Sequence, residues 1–169
     1  MNRLTTLVHD LLSEHGYKCC QDDKHEDTLR AGIRLNSAEC GLVVETGTDP
    51  EELSIFLYMP EKVPEPNRFT VMEYLTRLNF HLPMGHFELD LDDGTVRFVT
   101  SQLVHEGQLP VELTLKMMRN ALDRVETFFP GILRIVHGHL HAIAALTEIE
   151  HKHGFAGRHA GAYPSQRLN

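Results

Sequence analysis

The sequence predicts an α+β fold, in which an antiparallel sheet has helices packed on it. Segments with a two-residue apolar period cluster between residues 29 and 59 and return near residue 90. Segments with a helical apolar period precede, separate and follow these strands. The joins between successive strands are short and turn-like, which favours antiparallel neighbours over the long crossovers of a parallel sheet.

Size and composition indicate one globular unit. The chain has 169 residues, of which 41% are apolar and 24% charged, enough for a substantial core. We expect a single α+β domain over residues 1–153. From residue 154 the chain is polar and rich in glycine, which predicts a flexible tail over residues 154–169.

The charge disfavours nucleic acid as a partner. The formal net charge is −8, and the lysines and arginines are scattered singly, so no basic patch offsets the repulsion of a phosphate backbone. No uninterrupted apolar run approaches the length of about 18 residues that would predict a membrane span. We therefore expect neither a nucleic-acid nor a membrane partner.

Two further features indicate a cytoplasmic protein. Residues 1–16 do not resemble a secretory signal, because His9, Asp10 and Glu14 interrupt the apolar positions. The cysteines are an odd number and include an adjacent pair, unlike a disulfide framework. They are Cys19, Cys20 and Cys40.

The first element is an amphipathic helix, predicted over residues 2–15 and ended by Gly16. Three strands follow, at residues 29–35, 39–46 and 53–59. In the third strand, Phe56 and Tyr58 lie opposite an already apolar face. We therefore expect a helix or another subunit to cover that second face.

A second helix is predicted from an N-cap at Asn67 to about residue 82. Its predicted apolar face consists of Phe69, Met72, Leu75, Leu78 and Leu82. An antiparallel hairpin follows, with strands near residues 85–91 and 95–104 and a two-residue turn at Asp93 and Gly94.

Two helices are predicted at the end of the domain. Pro110 suits the first turn of one helix, and Pro130 with Gly131 is expected to break it. A final helix is then predicted over residues 132–150. Its apolar stripe would be Leu133, Val136, Leu140 and Ile143.

The run over residues 68–99, RFTVMEYLTRLNFHLPMGHFELDLDDGTVRFV, resembles the YbjN family of sensory-transduction regulators. The resemblance extends more weakly to about residue 130. The residues that match the family pattern are Glu73, Tyr74, Leu75, Leu78, Asn79, Gly85, Phe87, Glu88, Leu89, Asp93 and Gly94.

The resemblance implies an α/β sandwich like that of type III secretion chaperones, proteins that usually pair as homodimers and bind protein segments. Most matching positions are core or turn positions, so they identify a fold better than a chemistry. The family supplies no catalytic residue to carry over, and its pattern does not include the histidine-rich helix.

The histidine-rich segment is the one candidate metal site. On a continuous helix, His137 and His141 would lie one turn apart, with Glu148 near the same face. Two imidazoles and a carboxylate could hold zinc, which supports an alternative function as a small metalloprotein or metal-dependent hydrolase. However, Gly138 stands where a zincin has its glutamate. A solvated polar face is the favoured interpretation.

The other candidate chemistries are weaker. The cysteines lack a CxxC spacing and suit small buried strand positions better than a thiol site. The acidic residues around the hairpin lack the spacing of a calcium loop and are expected on a solvated face. No nucleophile elbow or phosphate-binding loop is present in the sequence.

The sequence therefore predicts a non-enzymatic, protein-binding module, either chaperone-like or a sensory-transduction regulator, without a cofactor. Apolar surface that so small a domain cannot hide predicts a symmetric homodimer. The candidate interface residues are Phe56, Tyr58, Val136, Leu140 and Ile143.

Overall fold

The computed structural model describes residues 2–154 and contains six strands and four α-helices. The strands are β1 (Cys20–Gln21), β2 (Thr28–Arg34), β3 (Glu39–Thr48), β4 (Glu51–Tyr58), β5 (His86–Leu89) and β6 (Val96–Leu103). The helices are α1 (Arg3–Glu14), α2 (Arg68–Asn79), α3 (Val111–Val136) and α4 (Ala142–His153), with a short 3-10 turn at Glu65–Asn67. From residue 155 on, the predicted tail lies outside the described residues.

All six strands form one antiparallel sheet in the order β1-β2-β3-β4-β6-β5. The predicted fold class is confirmed. The register continues across the sheet: Val43 is opposite Phe56, and Phe56 is opposite Val99. In the next row, Gly41 is opposite Tyr58 and Tyr58 is opposite Arg97. Because side chains alternate, both rows lie on the same face of the sheet.

The helices cover the other face, here called the inner face. Leu42, Leu57 and Phe98 form one inner row, and they belong to the same core cluster as Phe128 and Val125 of α3. The rings of Phe87 and Phe98 meet edge to face with their centroids 4.9 Å apart. Val43 and Val99 on the outer face are also buried but lie outside this cluster.

The first helix follows its prediction closely. The Asn2 side chain accepts a hydrogen bond from the Thr5 amide at 2.8 Å, which caps the first turn. The buried Thr5 hydroxyl lies 2.7 Å from the Thr46 hydroxyl of β3, so the cap is tied to the sheet. No helix within residues 2–154 has the length and apolarity to cross a bilayer.

The predicted N-cap position of α2 is correct, and its predicted apolar face is correct at Leu75 and Leu78 but not at Phe69. Asn67 is the N-cap residue, although its side chain makes no capping hydrogen bond. The helix buries Val71, Tyr74, Leu75 and Leu78, whereas Phe69 is exposed. The sequence pattern misleads at Phe69 because two apolar faces of α2 overlap, and contact with α3, α4 and β5 selects the one that is buried.

The antiparallel hairpin is confirmed, but its turn is longer than the predicted pair of residues. The loop runs from Asp90 to Thr95, and the Asp90 carboxylate accepts hydrogen bonds from the Asp92 and Asp93 amides. Gly94 has φ +81°, and a Cβ there would come within 2.1 Å of the Val63 carbonyl oxygen. Only glycine meets both requirements without strain.

The predicted break at Pro130 and Gly131 is wrong, because α3 continues through them to Val136. Tyr74 of α2 packs against Gly131, and its hydroxyl donates a 2.9 Å hydrogen bond to the Phe128 carbonyl. The break comes instead at residues 137–141, where His139 has φ +52°. Tertiary packing thus overrides the local tendency of proline to end a helix.

Candidate protein-binding surfaces

Exposed and buried aliphatic side chains line a groove between α1 and the segment that enters α3. The groove has a volume of about 350 Å³, and its apolar lining consists of Leu7, Leu11, Leu109 and Val111. Leu7 is 39% and Val111 49% exposed, so neither is covered by the rest of the chain. We call this feature the α1 groove.

The amphipathic pattern of α1 explains why the groove exists. Leu4, Val8, Leu11 and Leu12 are buried, while Leu7 lies at the edge of the buried face. Pro110 has ψ 85°, outside the helical region, so α3 begins at the next residue, Val111. Val111 lies alongside α1. The floor of the groove therefore consists of buried side chains, and its rim is exposed to solvent.

The rim of the α1 groove is acidic. Asp10 and Glu14 line it together with His15, whose Nδ1 lies 2.9 Å from the Leu11 carbonyl oxygen. A second depression of about 390 Å³ continues past Val111 to Leu113, which is 43% exposed. Apolar surface flanked by carboxylates suits a partner segment with apolar anchors and neighbouring basic side chains.

The outer face of the sheet has a cluster of a different kind, centred on Arg97. The guanidinium carbon lies 4.8 Å from the centroid of the Phe56 ring and 5.8 Å from that of Tyr58. Arg97 also donates hydrogen bonds to Glu88 at 2.6 Å and to the Tyr58 hydroxyl at 3.0 Å. A cation over two aromatic rings covers them while satisfying its own donors.

The electrostatics of this cluster favour its charged forms. Partial burial would raise the pKa of Glu88, but hydrogen bonds from Arg97 and His86 outweigh it and lower that pKa. The pKa of Arg97 is raised, because its bonds to Tyr58 and Glu88 outweigh the opposing effect of burial. All these groups are therefore occupied with one another, and none is positioned as a free acid or base.

The outer cluster changes the interpretation of Phe56 and Tyr58. They were expected to need a helix or another subunit to cover them, whereas both are half-buried by neighbours on the same face. Val43 and Val99 beneath them are only 5% and 7% exposed. Around Arg97, the outer face is thus partly covered by its own side chains.

The most exposed aromatic side chains lie on the solvent face of α2. Phe69 is 73% exposed and Phe80, directly after the helix, is 68% exposed. Met72 lies between them at 37% exposure. Glu73 and Arg77 share the same face and form an ion pair at 2.8 Å. We call this set the α2 outer face.

The remaining interface candidates are distributed differently. Val136 is 8% exposed and belongs to the core at the end of α3, and Leu140 packs against that core from the loop. Ile143 lies in the first turn of α4 and is 57% exposed. The predicted stripe therefore does not form, because the chain breaks between Val136 and Ile143.

The structure does not bring the histidine candidates together on one helix. His137 ends α3, where its Nε2 lies 2.7 Å from a Glu61 carboxylate oxygen, and His141 precedes α4. Glu148 instead forms two hydrogen bonds with Arg134, at 3.0 and 3.2 Å. Within residues 2–154, no three acidic, histidine or cysteine side chains are arranged to hold a metal ion.

The surroundings of the cysteines and of the hairpin carboxylate Asp93 favour structural roles over chemical ones. Cys19 and Cys40 are buried, and burial raises the pKa of each thiol to about 11. Cys20 is exposed at the short edge strand β1. Asp93 accepts hydrogen bonds from Lys62 and Thr95, which hold its pKa far below the usual range.

Sequence reasoning missed both exposed apolar surfaces. The signal for the α2 outer face was present, since Phe69 and Phe80 are eleven residues apart, or three helical turns. Phe69 and Met72 were instead assigned to the apolar face of α2, because apolar residues were assumed to face inward, and Phe80 was not assigned. No comparable signal marks the α1 groove, since Leu7 and Val111 are brought together only by the fold.

Comparison with known proteins identifies the family. Residues 5–134 match the sequence profile described as "YbjN: Putative bacterial sensory transduction regulator". Among curated proteins, none is significantly similar in sequence. The family profile covers α1, the whole sheet, α2 and almost all of α3, which includes the α1 groove, the outer cluster and the α2 outer face.

Several solved structures are similar. The crystal structure of YbjN from E. coli has a TM-score of 0.53 and 12% identity, covering 73% of this chain and 85% of that one. The ExsC–ExsE complex has a TM-score of 0.51 and 20% identity, with 74% and 92% covered. The HopA1–SchA chaperone–effector complex has a TM-score of 0.45 and 16% identity, with 73% and 90% covered. At these identities, the first two show a shared fold.

Proposed function

This chain belongs to the YbjN family, and on that basis we propose that it is a non-enzymatic protein-binding module that acts as a homodimer in the cytoplasm. The observation that carries the proposal is the α1 groove, an open apolar channel with an acidic rim. A regulator that acts through protein contacts needs such a surface. Three unpaired cysteines, two of them buried, suit a reducing compartment.

The groove also indicates what kind of protein segment would bind. Leu7 and Val111 offer two aliphatic contacts on either side of a buried floor, so a partner would insert apolar side chains between them. Asp10 and Glu14 lie at the rim, and the chain as a whole has a net charge of −8. Lysine or arginine residues flanking the apolar anchors would therefore be favoured over acidic ones.

One similar structure gives this proposal a precedent, because the ExsC–ExsE structure is named as a complex. The family description names a regulator. We propose that this chain likewise holds another protein, and that binding does not involve chemistry on that partner.

The test is capture of partners from the native cytoplasm by the immobilised protein, followed by binding measurements with the captured protein after purification. Replacement of Leu7 and Val111 by Asp places charge on both walls of the groove. We expect this double variant to lose the captured protein by about hundredfold in affinity. Leu91→Asp is the control, because Leu91 is 45% exposed, between Leu7 and Val111, but lies in the hairpin loop away from the groove.

Two results would contradict the proposal. One is equal binding of the captured protein by the Leu7/Val111 variant and the unmodified chain, which would exclude the groove as the binding surface. The other is chemical conversion of the captured protein during incubation, detected by intact mass. Higher salt should weaken binding to the unmodified groove, because the acidic rim contributes electrostatic attraction.

A further inference from the structure

The sequence after α4 differs in charge from the rest of the chain. Residues 155–169, here called the tail segment, include two arginines and neither aspartate nor glutamate. With histidine neutral, the whole chain carries −8 and the tail segment +2, so residues 1–154 carry −10. Tyr163 lies between Arg158 and Arg167, and Leu168 directly follows the second arginine. The tail segment thus combines apolar side chains with flanking basic ones.

We propose that the tail segment binds the α1 groove of its own chain, with apolar anchors inserted between the walls and arginines beside the acidic rim. The anchors are Tyr163 and Leu168, and the arginines are Arg158 and Arg167. The chemistry is that of the partner segment to which the groove is suited, apolar anchors flanked by basic residues. The inference rests on the proposed function, since it makes the tail segment an internal competitor for the partner's site.

Charge complementarity favours the α1 groove over the other exposed apolar surface. The Asp10 carboxylate lies 3.2 Å from the His9 ring, and within residues 2–154 neither Asp10 nor Glu14 forms an ion pair with a lysine or arginine. On the α2 outer face, by contrast, Glu73 is already paired with Arg77 at 2.8 Å. A basic segment is therefore attracted to the rim of the groove, where two carboxylates lack such a cation.

The tail segment is long enough to reach the groove. Leu168 is fourteen residues beyond Gly154, where α4 has ended, and an extended chain of that length spans about 46–50 Å. Helix α3 packs against α4 and has 26 residues, which corresponds to about 39 Å. Its first residue, Val111, lines the groove. The distance to be covered, roughly the length of α3, is therefore within reach.

Attachment to the same chain makes even a weak contact effective. A segment joined by a short linker has an effective concentration on the order of millimolar. Two apolar anchors in an open groove correspond to a dissociation constant on the order of 0.1 mM, so the tail segment occupies about nine-tenths of the grooves. A partner that binds only the vacant groove then binds about tenfold more weakly than it would without the tail segment.

The experiment is NMR spectroscopy of the full chain with isotope-labelled leucine and valine methyl groups. Tyr163→Ser with Leu168→Ser removes both anchors and leaves residues 1–154 unchanged. We expect the methyl signals of Leu7 and Val111 to shift, because these walls of the groove lose contact with the anchors. The signals of Leu103, which is 73% exposed but lies on β6, should stay in place.

The matched control is Ser165→Ala with Gln166→Ala. These two polar residues lie between the same anchors, so the control alters the tail segment without removing an anchor or a charge. The methyl signals of Leu7 and Val111 should match those of the unmodified chain.

A charge-exchange experiment tests the contact with the rim. Arg158→Glu with Arg167→Glu places acidic residues opposite the acidic rim, so the methyl signals of the groove should move towards those of the variant without anchors. Asp10→Arg with Glu14→Arg should have the same effect through repulsion between arginines. All four changes in one chain should restore the contact, which independent effects of the two pairs on local structure would not do.

Binding of the captured protein provides the second readout. The variant without anchors should bind it about tenfold more tightly than the unmodified chain. Equal affinities would overturn the competition between tail segment and partner.

The NMR measurement uses no partner, so its failure is distinct from that of the proposed function. Methyl signals of Leu7 and Val111 that are identical with and without the anchors would overturn the inference, even if Asp at both walls abolished capture. Shifted signals together with capture that is indifferent to those Asp substitutions would uphold the tail contact and contradict the proposed function instead.

Discussion

At the residue scale, the contact between Tyr74 and Gly131 determines how α2 meets α3. Burial raises the pKa of Tyr74 far above its usual range, and its hydroxyl donates to the Phe128 carbonyl at 2.9 Å. A buried hydroxyl needs such a partner, because leaving it unpaired costs about 1–3 kcal/mol. Tyr74 belongs to the set of positions on which the family resemblance rests, and this contact gives a structural reason for a tyrosine there.

Replacement of Gly131 by Ala should destabilise the protein, although inside a helix alanine is normally more stable than glycine by about 1 kcal/mol. A Cβ at this position would lie 2.2 Å from the Tyr74 hydroxyl and 2.6 Å from its ring carbon, so the rigid ring must move. We expect the free energy of unfolding to fall by about 1–3 kcal/mol, measured by urea denaturation.

Gly32→Ala is the matched control for this substitution. A Cβ there would meet only the Glu39 carboxylate at 3.6 Å, an ordinary contact. Its effect on stability should stay within about 0.5 kcal/mol. If Gly131→Ala proved stabilising, the close packing of Tyr74 on α3 would be contradicted.

Individual side chains also show where sequence reasoning fails. Asn67 and Phe69 have the residue types expected of an N-cap and a core position, yet one makes no capping bond and the other is 73% exposed. Both assignments depended on local pattern alone. Which face of α2 is buried depends on its contacts with α3, α4 and β5, so a rule that uses the helix sequence alone could not select it.

At the scale of elements, the strands were predictable and the last two helices only in part. Alternation in β4 fixed which of its residues face the core, and the register confirms it. Pro130 and Gly131, however, lie inside α3. The break predicted from the residue types of Pro130 and Gly131 is wrong because Tyr74 packs on the glycine, a contact between distant parts of the chain that the local sequence does not show.

The break after Val136 leads to a prediction about the histidines. Replacing His137 and His141 together by Ala should change thermal stability little near neutral pH. The described partner of His137 is the solvent-exposed Glu61, and an exposed ion pair contributes about 0–1 kcal/mol. Differential scanning calorimetry should show a melting temperature lowered by no more than about 2–4 °C.

Metal removal provides the complementary measurement. Chelator added to protein purified without a histidine tag should leave the melting temperature within about one degree, as expected for an effect well below 1 kcal/mol. A fall of about ten degrees with chelator would mean that ligation stabilises the fold, and it would favour the metalloprotein interpretation. Elemental analysis of the same sample distinguishes bound zinc from other causes.

At the scale of the whole molecule, the pH dependence of stability follows from acidic groups paired with cations. A hydrogen bond from Arg30 lowers the pKa of Asp22 to about 2, and bonds from Arg134 lower that of Glu148. The pKa of Asp93 is lowered by Lys62. That of Glu88 is lowered because its bonds, chiefly from Arg97, outweigh burial.

Because these pKa values lie below the unfolded ones near 4, their stabilising effect is present above about pH 4.5 and is lost as the pH falls towards 2. We expect the free energy of unfolding from urea titrations to fall steadily through this window. The slope should be shallower for Glu88→Gln, which no longer titrates, and at high salt, which screens the exposed pairs. A stability that is flat between pH 4.5 and 2 would contradict the pairing.

The overall architecture was more predictable than the surfaces that could bind a partner. Strand alternation and short joins are local signals, and they sufficed for an antiparallel sheet with helices. The α1 groove joins Leu7 to Val111, and the outer cluster joins Tyr58 to Arg97. Both depend on contacts between distant parts of the chain, which a single sequence read locally does not reveal.

The strand order has a consequence for how the chain folds. Strands β1 to β4 pair with their neighbours in sequence, so they can form by local hairpin steps. β6 then pairs with β4 across a separation such as the 39 residues between Tyr58 and Arg97. Among the strand pairs of the sheet, β4 and β6 are the most distant in sequence. Doubling the length of the loop between them would raise the entropic cost of closing it by only about 0.6 kcal/mol. The exposed residues Pro83 and Met84, which join α2 to β5 within this loop, are therefore a place where extra residues could be inserted with little effect on the stability of the folded state. The rate of folding would be the property that changes first.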